Sequence, residues 1–318
     1  MSGCLLADIG GTKARFAVLR DARATAVETL ATRDHASAVD GIRHFLGRHH
    51  NEDIDRAVIA AAGPVRDGRC KLTNAPWVLD STELKAALGW RSATIVNDLE
   101  ALAWAVPGFG PSDVATVGGG QEDPAQPVAL IAPGTGLGMA CFVRGSERAL
   151  ASEGGHATLA GTTAGEAAII EFLQRRHGHV SAERVLSGGG LVNVHDALTA
   201  RLGPPTPSPS PEEIVRAAIE GRSQTARQAL DAFCAFLGSV AGNVALTFGA
   251  CGGVLIAGGI APRIVDYLRG SEFRARFEGK GRLRGYLERI PTKIVVRPDP
   301  AFLGLMALAR RAGTGAGA

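Results

Sequence analysis

One pattern occurs twice in this chain and limits what it can fold into. Leu5-Leu6-Ala7-Asp8 runs into Gly10-Gly11-Thr12 and then into Ala14-Arg15-Phe16-Ala17-Val18-Leu19. Val128-Ala129-Leu130-Ile131 likewise runs into Ala132-Pro133-Gly134-Thr135-Gly136-Leu137-Gly138 and then Met139-Ala140-Cys141-Phe142-Val143. Short apolar runs separated by glycine and threonine predict a strand, a tight turn and a returning strand. Neither turn is a P-loop, because G-x-x-x-x-G-K-[ST] is absent, and the glycine spacing is not that of a Rossmann start. Glycines at a hairpin tip do let backbone N–H groups approach a phosphate, with Thr12 adding a hydroxyl and Asp8 facing a metal-bound water. Either turn alone reads equally well as a plain tight turn; two of them can hold a polyphosphate from both sides.

The stretches between and after the hairpins alternate helix and strand. Val39, Ile42, Phe45 and Leu46 predict a helix over Ala36–Leu46, and Ala57–Ala62 a buried strand closed by Gly63-Pro64. Asp80 and Glu83 make an acidic capping box before Leu84. In the second half, Thr163 and Glu166 cap a helix that His177-Gly178 ends, and a further helix is expected to open within Ser181–Gly190. Pro204–Pro211 reads as a rigid loop, with Ser210 as cap and Pro211 at the first helical position. Leu230, Phe233, Leu237, Val240, Val244 and Phe248 form one stripe of a long helix, and Val254–Ala257 is a buried strand ending in Gly258-Gly259. Lys293–Val296 is the last strand, Ala301–Arg310 the last helix, and the Gly-Ala tail after Ala312 is expected to fray.

Ile95-Val96-Asn97-Asp98 followed by Leu99, Leu102, Ala103 and Val106 predicts a buried strand running into a helix. A side chain at such a junction lies at the carboxyl edge of the sheet and beside the unpaired N–H groups of the helix start. Asn97 or Asp98 either caps that helix or carries chemistry. Glu153-Gly154-Gly155-His156 places a carboxylate and an imidazole three apart, and Glu183 lies in Ser181-Ala182-Glu183-Arg184-Val185-Leu186-Ser187-Gly188. Glu183 reads equally as a helix cap and His156 as a satisfied polar residue.

The 318 residues suffice for two domains with proper cores. A net charge of +3 and 5% aromatics leave no basic stripe interleaved with rings, which argues against nucleic acid. The basic cluster in Phe273–Arg289 is interrupted by Glu278 and Glu288 and reads as a solvated helical face. Five scattered cysteines, with no C-x-x-C pair, suggest neither disulfides nor zinc and fit a reducing cytoplasm. Only Met1–Cys4 precede the first strand, leaving no room for a signal peptide. No charge falls between Asp231 and Arg263, but glycines and polar residues divide that span, which reads as a buried helix and strand rather than a membrane crossing.

Taken together, the glycine hairpins, Asn97-Asp98, Glu153-Gly154-Gly155-His156, Glu183-Arg184-Val185-Leu186-Ser187-Gly188 and Ala257-Gly258-Gly259 resemble the bacterial glucokinase family, of the non-ROK type, within the sugar kinase, Hsp70 and actin superfamily. The resemblance implies an α/β fold of two ribonuclease H-like domains flanking an active-site cleft, the actin-like ATPase fold. Residues 1–107 with 299–318 would form the small domain and 108–298 the large one. It implies an ATP-dependent glucokinase, cytoplasmic and homodimeric, that converts glucose to glucose 6-phosphate. Asn97, Glu153, His156 and Glu183 would bind sugar hydroxyls, and Asp98 would bind the 6-hydroxyl and act as its base. Asp8, Gly10, Gly11, Thr12, Gly134, Thr135 and Gly136 would hold the phosphates of ATP with Mg2+, Asp8 reaching the metal through water, and Gly258 and Gly259 the adenosine. A kinase for another hexose or amino sugar, and a sugar-sensing regulator without turnover, are the alternatives. Lys13 stands where the family has Asn or Ser, Ala132 where it has Gly, and Gly189 where it has Pro.

Overall fold

The computed structural model describes residues 3–49, 53–73, 75–200 and 207–313. The first three residues of the Pro204–Pro211 loop, through Thr206, and the tail after Gly313 lie outside them. The chain divides into two compact units, Met1–Phe109 with Pro298–Ala318, and Gly110–Arg297.

The first unit is built on the opening hairpin. Strands β1 (Gly3–Ile9) and β2 (Lys13–Arg20) pair antiparallel, Asp8 opposite Arg15, as the first glycine turn predicts. The short β3 (Arg23–Ala24) and β4 (Glu28–Ala31) extend β2, while β5 (Ile54–Ala61) and, beyond β6 (Arg69–Lys71) and β7 (Val78–Asp80), β8 (Ser92–Asn97) add parallel strands on the far side of β1. β1 and the Ala57–Ala61 part of β5 are almost wholly buried, which is why they read as continuous apolar runs. The helix Ala38–Gly47, capped by Ser37, buries Ile42 and Phe45 on one face of this sheet. On the other face the helix Ala301–Gly313 brings Phe302, Leu305 and Ala309 onto Leu6, Val58 and Val96.

The second unit repeats the plan. In chain order its strands are β9 (Val114–Gly118), β10 (Val128–Pro133), β11 (Leu137–Val143), β12 (Arg148–Ser152), β13 (Val254–Ile256) and β14 (Thr292–Val295). β10 again has its antiparallel hairpin partner on one side and two later parallel strands on the other, with β9 closing the edge. The helix Gln224–Phe248 runs through the core, with Phe233, Leu237 and Ala241 fully enclosed. It is long and apolar enough to cross a membrane, yet 78% of its most apolar window is buried in the unit.

The helix expected to open within Ser181–Gly190 begins at Gly188 with Ser187 as its cap, and Ala182–Arg184 before it is a single 3-10 turn. The basic cluster is a solvated face only in its second half, at Arg282, Arg284 and Arg289, and that expectation is corrected for its first half. Phe273 and Phe277 anchor its first helix in the core, so their neighbours Arg274 and Arg276 are carried inward, at 18% and 16% exposure, and bind inside. Arg274 donates to Glu278 and to the carbonyls of Ile290, Leu287 and Glu288, and Arg276 pairs with Glu166.

Glu166 ties three segments together. Thr163 and Glu166 form the expected capping box, and Glu166 also accepts the N–H and hydroxyl of Thr162. Burial pushes its carboxyl up, but the Thr162 N–H and the Arg276 guanidinium outweigh that and hold it below the usual carboxylate range. A depressed carboxylate stabilises the fold fully above its unfolded pKa, and that contribution is lost as pH falls through the folded value. Glu166→Gln is therefore expected to cost about 3 kcal/mol at pH 7 by stranding Arg276. The gap should narrow in acid, where Glu166 itself protonates. Urea denaturation at both pH values checks this, and an equal gap at each would contradict it.

Candidate active site

In the first unit the register puts the candidate residues along one edge of the sheet. Asp8 lies level with Ala60 and Val96, and Asn97 ends β8 opposite Ala61. The first glycine turn closes with the Gly10 N–H donating to Lys13 O at 2.9 Å, and Thr32 braces it by donating its hydroxyl to Gly11 O at 2.9 Å. Asp8 accepts from Arg15 at 3.0 Å, and Arg15 also reaches Asp299 at 3.3 Å. Burial raises the Asp8 pKa against the pull of Arg15. Among the described residues no three His, Cys, Asp or Glu side chains gather as a metal site. One carboxylate fits Mg2+ only as the ion is held on phosphates, with most of its ligands supplied by substrate and water.

Asn97 is the helix cap, as the local alternative had it. Its Oδ1 accepts from Leu99 N at 2.9 Å and Glu100 N at 3.3 Å, and its Nδ2 donates to Gly63 O at 3.0 Å. Of its amide donors, the second Nδ2 hydrogen remains for another acceptor. Asp98 is the first residue of the helix Asp98–Trp104, and its Oδ1 accepts from Leu99 N at 2.9 Å. The partial positive charge of a helix start favours the ionised carboxylate there.

In the second unit three segments meet. The turn after β10 is closed by the Gly134 N–H donating to Gly136 O at 2.8 Å. The Glu183 carboxylate accepts from Leu137 N at 2.9 Å, so it does not cap a helix. Gly258 takes φ +82°, and a Cβ on it would overlap the Pro133 carbonyl; only glycine brings the end of β13 this close to the turn. Glu153 and His156, both largely exposed, flank a short turn with Oε2 and Nε2 3.9 Å apart. Ala182 N donates to Ala157 O and Leu159 N to Val180 O, each at 3.0 Å, which fixes the His156 loop beside the Glu183 segment.

Beside Gly134, Thr135 and Gly259 opens a cavity of about 720 Å³. Gly189 also lines it, and a Cβ there would meet nothing within 4 Å, so the glycine in place of proline is not required by packing. Leu191, Val215, Ile219 and Ile260 make its wall apolar, and Arg216, Glu212, Glu220 and Arg263 add charge. The sequence reading missed the contribution of the helix Pro211–Ile219. The sequence signal was the spacing of Val215 and Ile219, four apart on one helix face; the structure leaves Ile219 51% exposed although apolar.

Known proteins resemble this chain over nearly its whole length. The family model described as Glucokinase matches residues 5–312. The glucokinase of Paramagnetospirillum magneticum is 42% identical over 309 residues, covering 96% of each chain. The crystal structure of a glucokinase from an Antarctic psychrotroph superposes with a TM-score of 0.86 at 34% identity, over 98% of this chain and 99% of that one. A ROK family glucokinase from Streptomyces griseus, solved with glucose and AMPPNP, shares the fold at 22% identity and a TM-score of 0.66, over 98% of this chain and 100% of that one.

Proposed function

The chain belongs to the glucokinase family of sugar kinases and has its actin-like ATPase fold, and from that premise we propose that it transfers the terminal phosphoryl group of ATP to the 6-hydroxyl of glucose. The cavity beside Gly134, Thr135 and Gly259 supports this most directly: its volume is that of a small-molecule site, and its apolar wall suits a flat base.

Asp98 serves as the base. Phosphoryl transfer passes through a loose transition state, so its carboxylate first orients the 6-hydroxyl and takes the proton late. Glu153, His156 and Glu183 read the other hydroxyls, to which carboxylates offer charge-assisted acceptors. Asn97 contributes the Nδ2 hydrogen its cap leaves over. Since the Gly10 and Gly134 N–H groups are committed within their own turns, those of Gly11, Thr12, Thr135 and Gly136 bind phosphate oxygens, and Gly258-Gly259 lies against the adenosine. Mg2+, which neutralises charge on the transferring phosphate, would be held by Asp8 through water. The protein acts in the cytoplasm as a homodimer, without nucleic-acid or membrane partners; sedimentation tests the dimer.

A coupled assay across a sugar panel tests the activity. Glucose is expected to show the highest kcat/KM with Mg-ATP and to yield hexose 6-phosphate. Another hexose or an amino sugar ranking above it would reassign the substrate, and sugar binding without turnover would make the chain a sensor.

A further inference from the structure

Glu183 has a partner that sugar reading does not require. Its Oε2 accepts the Leu137 N–H, 46 residues away in sequence, at 2.9 Å. Further along the same segment the Gly188 N–H donates to Gly134 O at 2.8 Å. Between these points the Ser187 hydroxyl donates to Glu183 O at 2.9 Å and accepts from Gly190 N at 2.9 Å, so the segment is itself locked to a helix start. Residues 183–188 thus cross the 134–137 turn and hold it at both ends. The contact is close: a Cβ on Gly136 would lie 2.5 Å from Glu183 Oε2. From the other side, Gly155 packs so tightly on the Leu137 carbonyl that a Cβ there would overlap it.

We propose that Glu183 is a positioning residue for the phosphate turn: by holding Leu137 N–H it fixes the orientation in which Thr135 and Gly136 present theirs. The proposal rests on the reading that this turn takes nucleotide phosphates. A charge-assisted bond to a backbone N–H is about twice as strong as a neutral one, which suits a clamp on a glycine turn that has little stiffness of its own. Nucleotide affinity should then depend on Glu183 even when no sugar is present. A residue that only reads sugar has no such effect.

The test is calorimetric titration of the sugar-free protein with AMPPNP and Mg2+. Glu183→Ala is expected to weaken AMPPNP about tenfold, the loss of one charge-assisted bond. Glu183→Asp, which keeps the charge but is too short to reach Leu137, should fall equally far. Glu183→Gln, which keeps a neutral acceptor for Leu137, should lose about half of that free energy and weaken AMPPNP only about threefold. Unchanged affinity in the Ala and Asp variants, or a Gln variant as weak as Ala, overturns the proposal; the Asp and Gln pair decides it even where Ala fails to fold. Glucose titration of the same nucleotide-free variants separates the roles. Unaltered glucose affinity would remove Glu183 from the sugar site and leave its hold on the turn intact. A wild type that binds no AMPPNP defeats the nucleotide reading, and this proposal with it.

Discussion

Asp98→Asn is expected to lower kcat for glucose phosphorylation by about 10³-fold, within the range for loss of a general base, while KM for glucose changes little. The substitution is chosen to isolate proton transfer. Asparagine has the same shape, and its carbonyl oxygen can keep the bond that Asp98 Oδ1 accepts from Leu99 N. The cap is untouched, because Asn97 makes it. What is lost is the ability to take a proton at the start of a helix that favours the ionised acid. Steady-state kinetics with Mg-ATP decides the matter, and a fall of less than tenfold in kcat would remove Asp98 from the role of base.

Gly304→Ala is expected to destabilise the first unit by about 3 kcal/mol and to reduce turnover as well, since overpacking a tight contact costs 1–3 kcal/mol and sometimes more. A Cβ at Gly304 would overlap the carbonyl oxygen of Ala101, and it would lie 2.8 Å from the Ala101 carbonyl carbon and 2.9 Å from Ala105 N. The helices Ala301–Gly313 and Asp98–Trp104 therefore touch backbone to backbone, and the added methyl has no flexible side chain to displace. It must push the helix that begins with Asp98. Denaturation and kcat measured together test this, and a variant of native stability with full activity would show that the contact is looser than described.

Both predictions act on one helix, and the contrast between them shows what could be read in advance. The junction at Asn97-Asp98 was legible because β-branched apolar residues before it and helical spacing after it are local signals. The cap was legible for the same reason, since Asn97 bonds to N–H groups two and three residues away. The opposing helix was not, because Gly304 and Ala101 are about two hundred residues apart and neither carries a pattern that names the other. The basic cluster misled for a related reason. Spacing alone gave Arg274 and Arg276 to solvent, whereas the burial of Phe273 and Phe277 beside them drew both guanidinium groups inward, to carbonyls and to Glu166.

The sequence by itself determined the two hairpins, the helix caps at Asp80, Asn97, Thr163 and Ser210, the buried character of Gln224–Phe248 and the family to which the candidate residues belong. Each depends on interactions within a few residues or on a motif whose chemistry is carried in its spacing. Only the tertiary structure decided that Glu183 holds Leu137 rather than capping a helix, that Gly258 abuts Pro133, and that the helix Pro211–Ile219 walls the cavity. Those contacts join segments dozens to more than a hundred residues apart. Their geometry is set by how sheet and helices pack, and no local periodicity encodes it.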